Sequence, residues 1–250
     1  MTSCAGPRVR VTYYFAVDSS TDGNARLIRI DEMTMDITIA MMRTALYSAV
    51  VCDALDSLGL RNQSPRVPLA PYTGDSLLVG RAMTTLWTDL DHAVANPYEL
   101  ELKAVDNCQA DDVMICAANG SLRSALWGEL LSTASRNTGC VGAIVDGAVR
   151  DVTKIREMAF PVFARGTSPY DSQNRQRVIE FGIPVEIAGV RFCPGDLIFA
   201  DLDGVVVVPR EVEAEAIQRA WTKVHQENQV RDAIRAGMRA TTAYEQFGIL

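Results

Sequence analysis

Histidine is scarce in this chain: His92 and His225 are the two in 250 residues. His225 reads as a surface residue of a helix and His92 has no visible partner, so a general base would have to be an acid or a water. The six cysteines (Cys4, Cys52, Cys108, Cys116, Cys140, Cys193) include no Cys-x-x-Cys pair, which removes zinc-ribbon and thioredoxin readings. Scattered in apolar runs, they read as small buried hydrophobes of a reducing compartment. Positive charge is also short. A net charge of -7 and a pI near 4.9, with no basic run, leave no footprint for nucleic acid. No basic segment followed by an apolar one opens the chain, and the apolar residues 37–55 are interrupted by Arg43 and Asp53. The expectation is a cytoplasmic protein that does not span a membrane.

What is present is enough apolar sequence for a sizeable core: 48% hydrophobic against 22% charged. Apolar strand-like runs alternate with helical patterns, which predicts one mixed α/β domain with helical ends and no internal repeat. Residues 1–36 read as an N-terminal extension, with a turn at 18–24 between short extended pieces. Residues 37–250 form the main domain. Helical periodicity is expected from Thr34 and again over 50–58, stopped by Gly59. Asp53 and Asp56 on that second helix read as a solvated face. Strands are predicted at 77–88, 113–117, 141–145, 162–164, 183–187, 197–200 and 205–208. Gly80 marks a bulge or a close approach. Helices are predicted at 98–105, 121–136, 212–236 and 241–247, and the loop 165–177 carries Arg165, Arg175 and Arg177.

The stretch 127–151, WGELLSTASRNTGCVGAIVDGAVRD, concentrates the chemistry. One helix followed by one strand would return Glu129 and Arg150 to the same end of a sheet. A helix N-terminus offers free N–H groups and partial positive charge to a carboxylate. Gly128 permits close approach, and if the helix begins near Trp127 the amides of Glu129, Leu130 and Leu131 would face a ligand. Arg150 offers a planar fork for a carboxylate or enolate. Asp151 is a hard oxygen ligand suited to Mg²⁺ or Mn²⁺. The plainer reading is a loop ion pair and a helix cap.

At these residues the chain resembles the family of proteins like regulator of ribonuclease E activity A (RraA-like). The resemblance is carried by Gly128-Glu129-Leu130-Leu131, Gly147-Ala148-Val149-Arg150-Asp151, the segments 163–169 and 194–197, the run 203–209 and the tail Ala236-Gly237-Met238. It implies a layered β/β/α fold of the phosphohistidine-domain-like type. Its enzymatic members are class II pyruvate aldolases acting on 4-hydroxy-4-methyl-2-oxoglutarate. The family's lyase signature is an acid, twenty intervening residues and Arg-Asp, matched by Glu129, Arg150 and Asp151.

By carry-over, Asp151 would ligate Mg²⁺ or Mn²⁺ and Arg150 would contact substrate. Glu129 would reach the metal through water, the backbone from Gly128 to Leu131 would hold the pyruvate carboxylate, and Glu227 would reach the metal's waters from a neighbouring subunit. Glu129 departs from the more frequent Asp by one methylene. The resemblance further implies a homotrimer, or trimers paired into a hexamer. The expected activity is retro-aldol cleavage of a 4-hydroxy-2-oxo dicarboxylate, decarboxylation of oxaloacetate, or both, through a pyruvate enolate. The alternative is a non-catalytic regulator that binds a protein. Relatives labelled as demethylmenaquinone methyltransferases suggest a third activity, but no glycine-rich cofactor loop follows a first strand.

Overall fold

The computed structural model describes residues 8–11, 33–74 and 77–248. Strand β1 (Arg8–Val11) pairs antiparallel with β2 (Met33–Asp36), so Thr34 lies in a strand and not in the helix expected there. The helix α1 (Ile39–Ala45) begins five residues later, after Thr38, whose Oγ1 accepts the Met41 N–H at 3.2 Å. Helix α2 (Ser48–Ser57) ends as predicted at Gly59, whose φ of +83° lets the Leu60 N–H turn back to the Leu55 carbonyl. The turn expected at 18–24 lies outside the described residues.

Next come β3 (Ala70–Pro71), β4 (Leu78–Asp89), α3 (Glu99–Asp106), β5 (Asp112–Ala117), β6 (Ala125–Trp127), α4 (Glu129–Asn137), β7 (Gly142–Val149), α5 (Val152–Glu157) and β8 (Val162–Thr167). Then follow β9 (Gln176–Phe181), β10 (Val185–Ile187), β11 (Val190–Phe192), β12 (Leu197–Asp201), β13 (Gly204–Val208), α6 (Glu213–Arg235) and α7 (Ala240–Phe247). The main sheet runs β13-β12-β4-β5-β7-β8-β3, with β6 added beside β7 and β9 beside β4. Strands β4, β5, β7 and β8 are parallel, and the flanking pairs are antiparallel. This is the mixed α/β domain expected. Gly80 is the close approach: a β-carbon there would stand 2.3 Å from the Asp111 carbonyl oxygen.

Every residue of β7 is buried, the mark of a parallel strand covered on both faces. Its two-residue period sends Ala143 and Val145 into a core with Trp127, Phe160 and Met114, and Ile144 into another with Phe163, Phe192 and Ile115. Helical residues such as Ala104, Val105 and Ile155 close the first face. The β10–β11 hairpin, through Val185, Ile187, Val190 and Phe192, closes the second. A third core joins Val79, Leu197 and Val208 to α1, α2 and α6. The Arg81–Glu213 ion pair, at 2.5 Å, ties β4 to α6.

Two further departures from expectation bear on the site. The helix predicted over 121–136 is strand β6 followed by α4, because the apolar Ala125, Leu126 and Trp127 pair with Ala148 and Val149 of β7. The polar loop predicted over 165–177 is shorter at both ends, because β8 runs on to Thr167 and β9 begins at Gln176. Buried Gln176 starts that strand and accepts both the N–H and the Oγ–H of Ser124.

Candidate active site

Strand β6 and the end of β7 run side by side, and the Arg150 N–H donates to the Trp127 carbonyl at 2.9 Å. Beyond this bond both chains leave the sheet together. One continues through Gly128 into α4, the other through Arg150 and Asp151 into α5. Both exits lie at the carboxyl ends of parallel strands, where α/β sheets open their ligand crevices. The α4 turn is pinned from inside: Trp127 Nε1 donates to Ser132 Oγ at 2.8 Å, and Ser132 donates to the Gly128 carbonyl.

Gly128 is extended, with φ −154° and ψ −172°, so a left-handed turn does not explain it. Close approach does. A β-carbon there would stand 2.8 Å from Asp151 Oδ2 and 3.3 Å from Arg150 Cγ. Asp151 is the strained member, in the left-handed region at φ 57° and ψ 29°. That twist turns its carboxylate back over Gly128, where Oδ2 accepts the Glu129 N–H at 3.2 Å.

The fold thus brings Gly128, Glu129, Arg150 and Asp151 together. The Glu129 carboxylate turns to its own helix and accepts from Thr133 Oγ at 3.1 Å. The Leu130 side chain is 75% exposed, whereas Leu131 packs on the core. Glu227 stands elsewhere, on α6, accepting the Tyr47 hydroxyl at 2.7 Å with Lys223 and Arg231 nearby.

Three residues that the sequence did not single out complete the surroundings of Arg150. Its guanidinium pairs with Asp171 at 2.8 Å and lies 3.6 Å from Asp151. Asp171 also accepts the Tyr98 hydroxyl at 2.5 Å and the Gln173 N–H at 2.8 Å. Burial opposes ionisation of Asp171, but the bonds from Tyr98 and Gln173 and the charge of Arg150 outweigh it and hold the carboxyl below its ordinary range. Burial, then the bond to Asp171, pushes the Tyr98 phenol up to about 12. Glu101, three residues after Tyr98 and on the same face of α3, is buried, and its carboxyl is pushed up to about 8 by burial and by Asp171, with Arg150 opposing.

The loop arginines are engaged locally. Arg165 pairs with buried Asp146, and Arg175 lies 5.0 Å over the Tyr170 ring and donates to the Asp171 carbonyl. His92 bonds to neighbouring Asp91, and His225 bonds to the Trp221 carbonyl one turn back.

Among the described residues no three His, Cys, Asp or Glu side chains gather as a cage for a metal. The donor set fits a hard cation that keeps most of its waters: one part-exposed carboxylate, Asp151, with Glu129 at the edge of the same cradle.

The RraA-like family model (Aldolase/RraA) matches residues 48–207, which contain every member of this cluster. The chain belongs to the RraA-like family. A candidate 4-hydroxy-4-methyl-2-oxoglutarate aldolase of Halalkalibacterium halodurans is 31% identical to it over 206 residues, 82% of this chain and 92% of that one. Protein DlpA of Legionella pneumophila is 28% identical over 200 residues, 80% of this RraA-like chain and only 32% of DlpA. The chain therefore spans about a third of that relative. Among solved structures, Streptomyces coelicolor RraAS2, an unusual member of the RNase ES inhibitor RraA family, superposes with a TM-score of 0.68 at 28% identity. That match covers 77% of this chain and 94% of RraAS2.

Proposed function

We propose that this RraA-like chain is a divalent-metal-dependent carbon–carbon lyase of small 2-oxo acids. It would cleave a 4-hydroxy-2-oxo dicarboxylate to pyruvate, decarboxylate oxaloacetate, or do both. The observation that carries the reading is the convergence of Arg150, Asp151 and the Gly128–Glu129 turn at one exit from the sheet. The likeness to an aldolase-named relative over nearly its full length supports it.

Both reactions leave negative charge on a pyruvate enolate, so the site must stabilise charge as it develops. The Arg150 fork offers parallel N–H donors to that oxygen while Asp171 holds its far side. The first turn of α4 presents backbone N–H groups to the substrate carboxylate, with Gly128 leaving room for approach. Asp151 would hold Mg²⁺ or Mn²⁺ directly, with Glu129, and Glu227 of a neighbouring subunit in a trimer or hexamer, acting through water. When bound, the cation supplies Lewis-acid polarisation of the 2-oxo group.

A binding-only regulator has one observation in its favour: Leu130, next to Glu129, and Tyr170, next to Asp171, are exposed. Pyruvate release separates the two readings. With Mg²⁺, at least one of oxaloacetate and 4-hydroxy-4-methyl-2-oxoglutarate is expected to yield pyruvate. Arg150→Ala should lower kcat/KM by about a hundredfold or more. Undiminished turnover in that variant contradicts the proposed site.

A further inference from the structure

Glu101 is 7% exposed, and its Oε2 has no hydrogen-bond partner among the described residues. An unpartnered carboxyl is costly to bury, and a leucine or methionine would fill the same volume without that cost. The residue is therefore unexplained by packing. One helical turn before it, Tyr98 bonds Asp171, and the charges of Asp171 and Arg150 both act on its carboxyl. Asp171 comes from the loop before β9 and Arg150 from the end of β7, while Tyr98 opens α3 and Cys116 lies on β5. The first two are themselves joined at 2.8 Å, and Tyr98 is bonded to Asp171.

Resting on the lyase reading above, we propose that Glu101 is a positioning residue of the site: a buried, unpartnered carboxyl one helical turn from Tyr98, which bonds the Arg150–Asp171 pair, that leaves the positive charge of Arg150 available to an anionic 2-oxo acid. The charge count gives the reason. Arg150 already shares its single charge between Asp171 at 2.8 Å and Asp151 at 3.6 Å. A third carboxylate would add to the negative charge already facing the dianions the pocket is meant to hold. Burial and the charge of Asp171 keep the Glu101 proton on up to about pH 8. Of its neighbours, Tyr98 and Cys116 are each pushed by burial to about 12, and Asp171 is held ionised. Glu101 is thus the member of this set whose charge changes in the mildly alkaline range.

The test is kcat and KM for pyruvate release between pH 6 and 10, in the wild type and in Glu101→Gln, with thermal melts confirming that the variant is folded. The wild-type KM should rise about tenfold as Glu101 ionises, with a smaller change in kcat. Glu101→Gln should keep the wild-type KM at pH 7 and lose the alkaline rise. Should Glu101→Gln fail to fold, Glu101→Met serves as the second neutral variant. An alkaline rise of KM that persists in the folded neutral variant overturns the proposal. So does loss of turnover at pH 7 in Glu101→Gln, which would make Glu101 a proton donor instead. Oxalate affinity with Mg²⁺, measured by calorimetry over the same range, applies the same criterion without turnover. Absence of pyruvate from the wild type therefore sinks the lyase reading, while oxalate binding still decides the role of Glu101.

Discussion

Gly128 and Asp151 stand so close that a β-carbon on the glycine would lie 2.8 Å from the aspartate Oδ2. The contact exists because β6 and β7 end in register, which sends both residues out of the sheet at one place. Gly128→Ala should therefore displace Asp151 and Arg150 by several tenths of an ångström while leaving β6, β7 and α4 intact. We expect kcat/KM for pyruvate release to fall about ten- to a hundredfold. Circular dichroism and melting should change little. Wild-type kinetics in Gly128→Ala would show that the close approach is not needed.

Asp151 combines an unfavourable backbone angle with the carboxylate assigned to metal. Asparagine tolerates the left-handed region and can still accept the Glu129 N–H, but it is a poor ligand for a hard cation. Asp151→Asn should keep its melting temperature within a few degrees and lose activity by about a hundredfold or more. A variant that loses its fold instead would identify Asp151 as a structural cap.

The hydrogen bond from Tyr98 to Asp171, and through it the pair with Arg150, gives a graded prediction. Tyr98→Phe removes one hydrogen bond, about 1 kcal/mol, and should raise KM several-fold. Asp171→Asn removes the charge facing Arg150 and should act more strongly on kcat, because the fork is then free to turn. Equal, negligible effects of both changes on kcat and KM would remove Asp171 from the site.

How much of this was legible in the sequence differs residue by residue. Arg150 and Asp151 stood out because two charges close an apolar strand, and Glu129 stood out because one helix and one strand separate it from them. The start of α4 was not legible. Ala125, Leu126 and Trp127 suit a helix or a strand equally, and their pairing with β7, more than twenty residues on, decides the matter. Tyr98 and Glu101 lie about fifty residues from Arg150 in sequence, Asp171 sits in a polar loop, and each alone resembles an ordinary surface polar residue. The one local signal was the three-residue spacing of Tyr98 and Glu101 on a single helical face. The β/α layering was readable from the apolar runs, whereas β9 was hidden because buried Gln176 is polar and its partner, Ser124, is remote.

Glu101 also makes stability depend on pH. Its carboxyl titrates near 4.5 ordinarily and near 8 in the folded chain, so the native state binds the proton more tightly. The resulting stabilisation is fully present below about pH 4.5 and is lost as pH rises towards 8. Glu101→Gln lacks that loss. In urea unfolding it should match the wild type near pH 4.5 and exceed it above pH 8, by roughly 2–4 kcal/mol. A stability difference that does not vary with pH contradicts the buried neutral acid.

The central claim is that a divalent cation at Asp151 and the charge of Arg150 together carry the lyase chemistry. The most direct measurement is pyruvate release from oxaloacetate and from 4-hydroxy-4-methyl-2-oxoglutarate, after EDTA treatment and again after Mg²⁺ or Mn²⁺ is added back. The account predicts that turnover disappears with EDTA and returns with the cation in the wild type, but does not return in Asp151→Asn. Turnover that survives EDTA, or that Mg²⁺ restores fully in Asp151→Asn, would contradict it.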